Sequence, residues 1–384
     1  MTDADLAALH ASCFTIDTHS DTPTAFFMRE GWDFATRHEF TPGGSQCDLP
    51  RMAGNVDAMV FAIYTTQAAR TPGGHARAHD LALKVFARTH AVLAANAGQC
   101  GLALTAADGL RLKTENRRAV YLSIENAYSL GTAAANVAKF RALGMRMLGL
   151  THMLNNEVAD SSTDPRGAEW GGLSPLGREI VAECNRLGVV LDASHASDDA
   201  LWDLLKLSRT PVILSHSDCR AVCDHPRNIG DELLRAVAAQ GGVLQMNALP
   251  VSLLATAEVG ATAALAAFLM RLKDTELTPE SRAELAKEWQ RIDVEFPGPP
   301  ATLDHFMEHL FHAVEVAGVD HVGIGCDFDG GGGMPGLRDV TDFPAITRRM
   351  VERGFSREDI AKIWGGNTLR LYRAAEQFAA GTRS

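Results

Sequence analysis

The segment VLDASHASDD (residues 190–199) is an apolar run that ends abruptly in a Ser-His pair. The segment VILSHSDCRA (residues 212–221) repeats the same arrangement. Short, nearly continuous apolar runs are typical of parallel strands that are covered on both faces, because such strands lack a solvated side. The two segments therefore predict two buried strands that carry His195 and His216 at their carboxyl ends.

Six further runs of this kind occur along the chain, each separated from the next by a helical or irregular stretch. They are FTIDTHSD from 14, VDAMVFAIY from 56, AVYLSIEN from 119, MRMLGLTH from 145, GGVLQMNA from 241 and HVGIGCDFDG from 321. In the stretch 174–188, Ser174 can cap a helix, Pro175 suits its first turn and Gly188 can end it. Eight successive β-α units predict an α/β protein, a single (β/α)8 TIM barrel domain spanning residues 1–384.

Two stretches depart from the simple repeat. Residues 249–300 predict a helical insertion between the seventh and eighth strands, large enough to act as a lid or an oligomer contact. The residues from about 356 onward predict a C-terminal helical tail.

Composition narrows the class of protein. The chain has 384 residues, of which 46% are hydrophobic and 22% charged, so it can bury a large core. A net charge of -11 disfavours nucleic acid and anionic membranes as partners, and no apolar run is long enough to cross a membrane. The seven cysteines lack C-x-x-C spacing, which favours free thiols in the cytoplasm, although Cys219 and Cys223 could share a metal.

The carboxyl ends of the predicted strands carry metal-ligand residue types. In a barrel of this kind the chemistry is built at those ends. The residues there are His19 and Asp21 on the first strand, Glu125 on the third, His152 on the fourth, His195 on the fifth, His216 on the sixth and Asp327 on the eighth. Each histidine alone could be a hydrogen-bonded core residue, but the whole set favours a centre in which two Zn²⁺ ions share a carboxylate and a hydroxide.

Several segments give the chain a recognisable pattern. The most specific are DTHSDTP (17–23), GLSPLGREIVAECNRLGVVLDASHAS (172–197), PVILSHSDCRAVCDHPRNIGDE (211–232), VGIGCDFDG (322–330) and GGNTLRLY (365–372). In these segments the chain resembles the membrane dipeptidase (renal dipeptidase, peptidase M19) family of the amidohydrolase superfamily. The resemblance covers nearly the whole chain.

This resemblance implies a ligand set and a reaction. His19 and Asp21 would bind one zinc, His195 and His216 the other, and Glu125 would bridge both. The implied activity is hydrolysis of dipeptides, with a D-residue tolerated at the C-terminal position. A homodimer is also implied.

The remaining site residues complete the expected mechanism. A hydroxide held between the two zinc ions would attack the peptide carbonyl, and Asp327 would pass its proton to the leaving amine. Arg227 matches the family residue that holds the terminal carboxylate of the substrate, and His152 the one at the scissile carbonyl. The sequence departs from the family at Glu-Asn-Ala (125–127), where glycines are usual, which puts the substrate preference in doubt.

Two of these assignments have structural alternatives. Asp327 could instead be a carboxylate that accepts backbone N–H groups, although Asp329 suits that role better. Arg227 could form a surface ion pair with Asp224 or Asp231.

Two other motifs offer rival sites. The stretch HFMEH (305–309) matches the H-x-x-E-H pattern of another zinc protease class. Helical spacing places Leu303, Phe306, Leu310 and Val314 on one face, and His305, Glu308, His309 and His312 on the opposite face, which we expect to be solvated. The stretch DGGGGMPG (329–336) lacks the Lys-Ser/Thr of a phosphate loop and predicts a flexible loop at the active-site rim.

Two functional alternatives remain open. A different dinuclear amidohydrolase reaction, such as deacylation of an N-acyl amino acid, would use the same metal site. A non-catalytic metal-binding or scaffold protein is disfavoured by the complete ligand set and by Asp327.

Overall fold

The computed structural model describes residues 2–255 and 260–382, and within these ranges a parallel sheet forms the centre of the fold. Its strands are β1 (Ile16–Ser20), β2 (Ala58–Tyr64), β3 (Cys100–Leu102), β4 (Arg118–Glu125), β5 (Met145–Gly149), β6 (Val190–Asp192), β7 (Ile213–Ser217), β8 (Val243–Met246) and β9 (Val322–Ile324). The eight predicted strands are all present. The short β3 was not predicted; it has only three residues and pairs with β4 outside the barrel path.

Helices alternate with these strands along the chain. The α-helices are α1 (Asp3–Ser12), α2 (Leu49–Met52), α3 (Pro72–Ala95), α4 (Ala106–Thr114), α5 (Asn136–Ala142), α6 (Pro175–Leu187), α7 (Asp198–Leu207), α8 (Asp231–Ala239), α9 (Pro250–Leu253), α10 (Ala261–Asp274), α11 (Pro279–Glu295), α12 (Leu303–Ala317), α13 (Phe343–Arg353), α14 (Arg357–Ala361) and α15 (Asn367–Gly381). Short 3₁₀ turns cover Ala127–Leu130, Val319–His321 and Val340–Asp342, and single π-turns cover Pro23–Phe27 and Lys362–Gly366.

The sheet curls into a nearly closed barrel. Its strand order is β1-β2-β4-β5-β6-β7-β8-β9, every pair is parallel, and β3 pairs with β4 outside this path. The two ends meet where the backbone N–H of Asp21 donates to the carbonyl of Phe328 at 2.9 Å. The predicted TIM barrel is confirmed, and all strand carboxyl ends therefore open at one mouth.

Strand side chains alternate between two apolar cores. In β2, Met59 and Phe61 pack outward against the helices, whereas Ala58 and Val60 belong to a smaller cluster inside the barrel. That inner cluster collects the first residues of the strands and includes the C-terminal helix α15, whose Tyr372 stacks on Tyr121 with ring centroids 4.8 Å apart. The predicted helical tail is confirmed, and it closes the barrel end opposite the mouth.

The predicted insertion between the last two barrel strands is helical and contains α9, α10 and α11; residues 256–259 of that range lie outside the described residues. Phe268 and Leu272 of α10 share an apolar cluster with Leu154, which follows β5. An ion pair of 2.6 Å between Lys273 Nζ and Asp164 Oδ2 ties α10 to the same region. The insertion therefore rests beside the loop that carries His152.

The predicted signals of helix α6 are confirmed. The hydroxyl of Ser174 accepts the backbone N–H of Gly177, and Gly188 ends the helix in the left-handed region at φ 69°. These two ends fix where β6 begins, and therefore where His195 lies.

Candidate metal centre and active site

The barrel mouth brings the predicted ligand residues into one buried cluster. Among the described residues, three overlapping groups have ligand atoms within 4.8 Å of one another. They are His19, Glu125 and His216; Glu125, His152 and His195; and His19, Asp21 and Asp327. The structure therefore brings these seven predicted side chains together at the barrel mouth.

Glu125 lies at the centre of this cluster. Its Oε1 is 3.0 Å from His195 Nε2 and 3.6 Å from His216 Nε2. Its Oε2 is 3.6 Å from His19 Nε2. The two carboxylate oxygens thus face two different sets of histidines, which is the arrangement a bridging carboxylate requires.

Several ligand atoms in the cluster lack hydrogen-bond partners. His19 Nε2 and Asp21 Oδ1 are buried without a partner among the described residues. The Nε2 atoms of His195 and His216 lie 2.9 Å apart, so the two rings converge on the same point. Buried polar atoms are costly unless they are paired, and divalent cations would satisfy these imidazole and carboxylate groups. The residues present therefore fit a metal centre.

The electrostatics at His195 and His216 suit metal binding, whereas at His19 burial lowers the pKa but Glu125 and Asp21 raise it well above its usual range. Burial, with the Arg227 guanidinium nearby, holds the pKa of His195 well below its usual range. Burial and the charge of His19 do the same to the pKa of His216. Imidazoles with such pKa values stay neutral and keep a free lone pair, as a ligand must.

The carboxylates respond to the same surroundings in two ways. Burial opposes the charge on Glu125, but His19 and His152 hold its pKa well below the usual range. Burial raises the pKa of Asp327 to about 8, with the negative charges of Asp21 and Glu125 adding to the effect and His19 opposing it. Glu125 is thus charged in this site, whereas Asp327 can hold a proton on its carboxylate.

Strained backbone concentrates at the strand ends. His195, Asp327, Asp329 and Asn126 all have positive φ, at 67°, 60°, 64° and 70°. Such conformations cost on the order of 1–3 kcal/mol each in non-glycine residues and cluster at functional sites. The register also shifts beside His19 in β1 and His216 in β7, and such irregularities re-aim side chains.

Asn126 explains the departure at Glu-Asn-Ala. Its left-handed φ is one that a glycine would also adopt, and asparagine tolerates it better than most residues. Its Nδ2 donates to Gln67 Oε1 at 3.2 Å, and its Oδ1 accepts from Asn156 Nδ2 at 2.9 Å. This amide network joins the loops after β2, β4 and β5 and holds the residue that follows Glu125 in the chain. Sequence reasoning missed this network, because the three amide side chains are far apart in the sequence and form no motif.

Arg227 is buried at the site. Its Nη2 donates to the carbonyl of His216 at 3.1 Å, and its Nη1 has no hydrogen-bond partner among the described residues. The alternative of a surface ion pair is wrong, since Asp231 contacts His312 instead and Asp224 forms no ion pair with Arg227. Nη2 of the guanidinium is therefore bonded within the protein, and Nη1 is available to a ligand.

His152 completes one wall of the site. Its ring centroid is 4.5 Å from that of His195, and its Nε2 is 3.8 Å from Glu125 Oε1. Tyr64, which sequence reasoning missed, lies on the other side of the His152 ring at 4.8 Å between centroids. It ends β2, so applying the strand-end argument to that strand would have found it.

The rival motif at 305–309 is not a metal site. His309 was expected on a solvated face, but it is fully buried: its Nδ1 accepts the backbone N–H of Cys219 at 3.0 Å, and its Nε2 donates to the carbonyl of Leu253 at 3.1 Å. Cys219 and Cys223 belong to none of the metal-capable groups found among the described residues. His309 therefore joins α12 to α9 and to the loop after β7.

The glycine-rich loop lies at the rim as predicted, and several of its backbone N–H groups are hydrogen-bonded. Backbone N–H groups of Gly330 and Gly332 donate to the carbonyl of Asp327, and Gly333 donates to that of Ala248. The loop lines a cavity of about 650 Å³. A Cβ on Gly330 would lie 2.1 Å from Asp21 Oδ2 and 2.3 Å from Asp327 Oδ1, so only glycine fits against these carboxylates.

Asp329 has the structural role expected of it. Its Oδ1 accepts the backbone N–H of Gln46 at 2.7 Å, and its Oδ2 accepts the hydroxyl of Thr22 at 2.6 Å. These bonds anchor the glycine-rich loop to the segment after β1 and leave Asp327 as the carboxylate that faces the cluster.

A TIM barrel whose mouth holds buried imidazoles around a shared carboxylate is the architecture of a metal-dependent hydrolase. The sequence model of the Membrane dipeptidase (Peptidase family M19) family matches residues 4–384. The chain belongs to this family, and it is accordingly a dipeptidase-type hydrolase.

Relatives and solved structures agree with this assignment. The chain is 28% identical to Dipeptidase tcpJ of Claviceps purpurea over 96% of its own length and 78% of that protein's. It is 31% identical to Dipeptidase 3 of Rattus norvegicus over 71% of its length, but spans only 48% of that protein. The probable dipeptidase PvdM of Pseudomonas aeruginosa superposes with a TM-score of 0.82 at 30% identity, covering 98% of this chain and 100% of that one.

A more distant structure shares the fold. A metallo peptidase of Rhodobacter sphaeroides, solved with a phosphinate mimic of the dipeptide L-Ala-D-Ala, superposes with a TM-score of 0.74 at 23% identity, covering 94% and 99% of the two chains. Among the described residues, no helix combines the length and apolar character needed to cross a membrane.

Proposed function

We propose that this protein is a zinc-dependent dipeptidase that accepts a D-residue at the C-terminal position of its substrate. The observation that carries the proposal is the position of Arg227, a buried guanidinium with an unpartnered Nη1 at the edge of a buried ligand cluster. A guanidinium binds a carboxylate through parallel hydrogen bonds. A free terminal carboxylate is therefore the feature of the substrate that this site selects.

The ligand assignment follows the family resemblance, and it is supported by the two oxygens of Glu125, which lie nearest to different histidines. We assign His19 and Asp21 to one zinc, His195 and His216 to a second, and Glu125 to both. When bound, such ions activate a water as a hydroxide nucleophile at neutral pH and polarise the scissile carbonyl.

The side chains around the cluster supply the rest of the reaction. Asp327 accepts a proton on its carboxylate and delivers it to the nitrogen of the leaving amine, a role that a pKa near neutrality favours. His152 contacts the region of the scissile carbonyl and stabilises the charge that develops on its oxygen. Arg227 fixes the substrate by its carboxylate, and this anchor limits the length of substrate that can bind.

The proposed tolerance of a D-residue comes from the ligand of a structurally similar protein. The ligand of the Rhodobacter protein mimics L-Ala-D-Ala, and we extend this ligand class to the present chain because the two barrels share their fold.

The cellular setting is also proposed. All seven cysteines are buried and unpaired, which suits a reducing compartment such as the cytoplasm. We also propose that the chain functions as one domain within a homodimer, as the family resemblance implies.

One screen tests the proposed function. Zinc-loaded protein is assayed against L-L and L-D dipeptides, and against N-acyl amino acids as the competing substrate class. Dipeptides with a free C-terminus should be hydrolysed, and L-D pairs should be among them. Hydrolysis of N-acyl amino acids in preference to all dipeptides would favour the alternative amidohydrolase reaction.

A further inference from the structure

The two Ser-His pairs that end β6 and β7 are joined by a chain of hydrogen bonds behind the candidate metal centre. Asp192 Oδ1 accepts the backbone N–H groups of Ser194 and Ser215, each at 2.9 Å. Asp192 Oδ2 accepts the hydroxyl proton of Ser215 at 2.6 Å. The same hydroxyl oxygen lies 2.8 Å from His216 Nδ1.

The hydrogen bonds from His216 through Ser215 to Asp192 allow only one assignment of donors and acceptors. A carboxylate cannot donate, so the O–H of Ser215 points at Asp192 and its oxygen is left as an acceptor. The ring nitrogen that faces this oxygen must then carry the N–H. Asp192 and Ser215 are both buried, at 4% and 0% exposure, so water does not compete for these bonds.

We propose that Asp192 and Ser215 are positioning residues that fix His216 in the tautomer with its N–H on Nδ1. The lone pair of Nε2 is then directed at the metal. The tautomer of a metal-bound histidine is set by the hydrogen bond of its other ring nitrogen, and such partners also fix the orientation of the ring. This inference rests on the proposed function, because it takes His216 as a metal ligand.

Ser194 provides an internal contrast. Its hydroxyl oxygen accepts the backbone N–H of His216 at 3.1 Å and lies 3.4 Å from the hydroxyl of Ser215, but it has no contact with the ring of His216. His195 differs too, since its Nδ1 is buried without a partner among the described residues. Of His195 and His216, only His216 therefore has its ring held by these hydrogen bonds.

The variant Asp192→Asn reverses the donor and acceptor roles along these hydrogen bonds, while the side chain at position 192 keeps nearly the same shape. The amide oxygen stays on the two backbone N–H groups, so the amide nitrogen faces Ser215 and donates to it. The hydroxyl proton must then turn to His216 Nδ1, which moves the ring N–H to Nε2, where it opposes a metal. Ser215→Ala removes the link altogether, and Ser194→Ala is the matched control.

Two measurements on the full-length chain test the proposal. Zinc dissociation constants are measured by competition with a chromophoric chelator, and the ring nitrogen shifts of metal-free protein by NMR of ¹⁵N-histidine. Asp192→Asn and Ser215→Ala should weaken zinc binding by about 10-fold to 100-fold, and Asp192→Asn should move the His216 N–H to Nε2. Ser194→Ala should lower thermal stability while changing zinc affinity by less than about threefold.

Three results would overturn the proposal. They are wild-type zinc affinity in a folded Asp192→Asn variant, unchanged nitrogen shifts in that variant, and an equal loss of zinc affinity in Ser194→Ala. If Ser215→Ala does not fold, Asp192→Asn decides the question alone. Zinc binding by a wild-type chain that cleaves no dipeptide would contradict only the proposed function.

Discussion

Replacing Arg227 with alanine removes the guanidinium that we assign to the substrate carboxylate. Arg227 is 8% exposed, and its Nη1 lacks a partner among the described residues, so the bond to substrate would form in a desolvated site. Truncating one partner of a buried, hydrogen-bonded charge pair costs about 2–5 kcal/mol. At about 1.4 kcal/mol for each factor of ten, kcat/KM for a free dipeptide should fall by roughly 30-fold to 5,000-fold.

The control is a C-terminally amidated dipeptide, which offers no carboxylate to Arg227. Wild type and Arg227→Ala should cleave it at nearly equal rates, so the four kcat/KM values form a double-mutant cycle between enzyme and substrate. Zinc content is measured in parallel, because Arg227 also donates to the carbonyl of His216.

The pattern of losses separates recognition from structure. Arg227→Lys keeps the charge but not the parallel hydrogen bonds, and should recover part of the loss. Equal losses of Arg227→Ala on free and amidated dipeptides, or zinc loss in step with activity, would refute the assignment.

Three further changes test the catalytic cluster. Asp327→Asn should keep both metals but slow kcat by on the order of 10²-fold to 10⁴-fold, since the amide cannot accept a proton; near-normal kcat would exclude Asp327 as the shuttle. Gly330→Ala places a Cβ 2.1 Å from Asp21 Oδ2. This variant should lose about 1–3 kcal/mol of stability, measured by chemical denaturation, and should bind zinc less tightly. Gly98→Ala, which has open space around the added Cβ, should change neither stability nor zinc affinity. Removing metal with a chelator should abolish hydrolysis and lower the melting temperature, and added zinc should restore both.

The eight barrel strands and the ligand cluster could be predicted from the sequence for a physical reason. Strands buried on both faces read as apolar runs, and a parallel barrel gathers their carboxyl ends at one mouth. His19, Glu125 and His216 are far apart in the chain, yet that rule alone places them together.

Features that depend on tertiary packing were missed or wrongly predicted. Periodicity placed His309 on the solvated face of α12, but α9 and the loop after β7 contact this one side chain and bond to its ring. The amide network around Asn126 needs three loops that only the fold brings together. The hydrogen bond that Gly333 of the glycine-rich loop donates to the carbonyl of Ala248 also depends on the fold, so the sequence could not predict it.

The most direct test of the central claim is to locate the metal ions in the zinc-loaded protein by anomalous diffraction at the zinc edge. We predict two peaks per chain at the barrel mouth. One should lie among His19, Asp21 and Glu125, and the other among Glu125, His195 and His216. A single peak under saturating zinc, or peaks away from Glu125, would contradict the dinuclear site on which the proposed function depends.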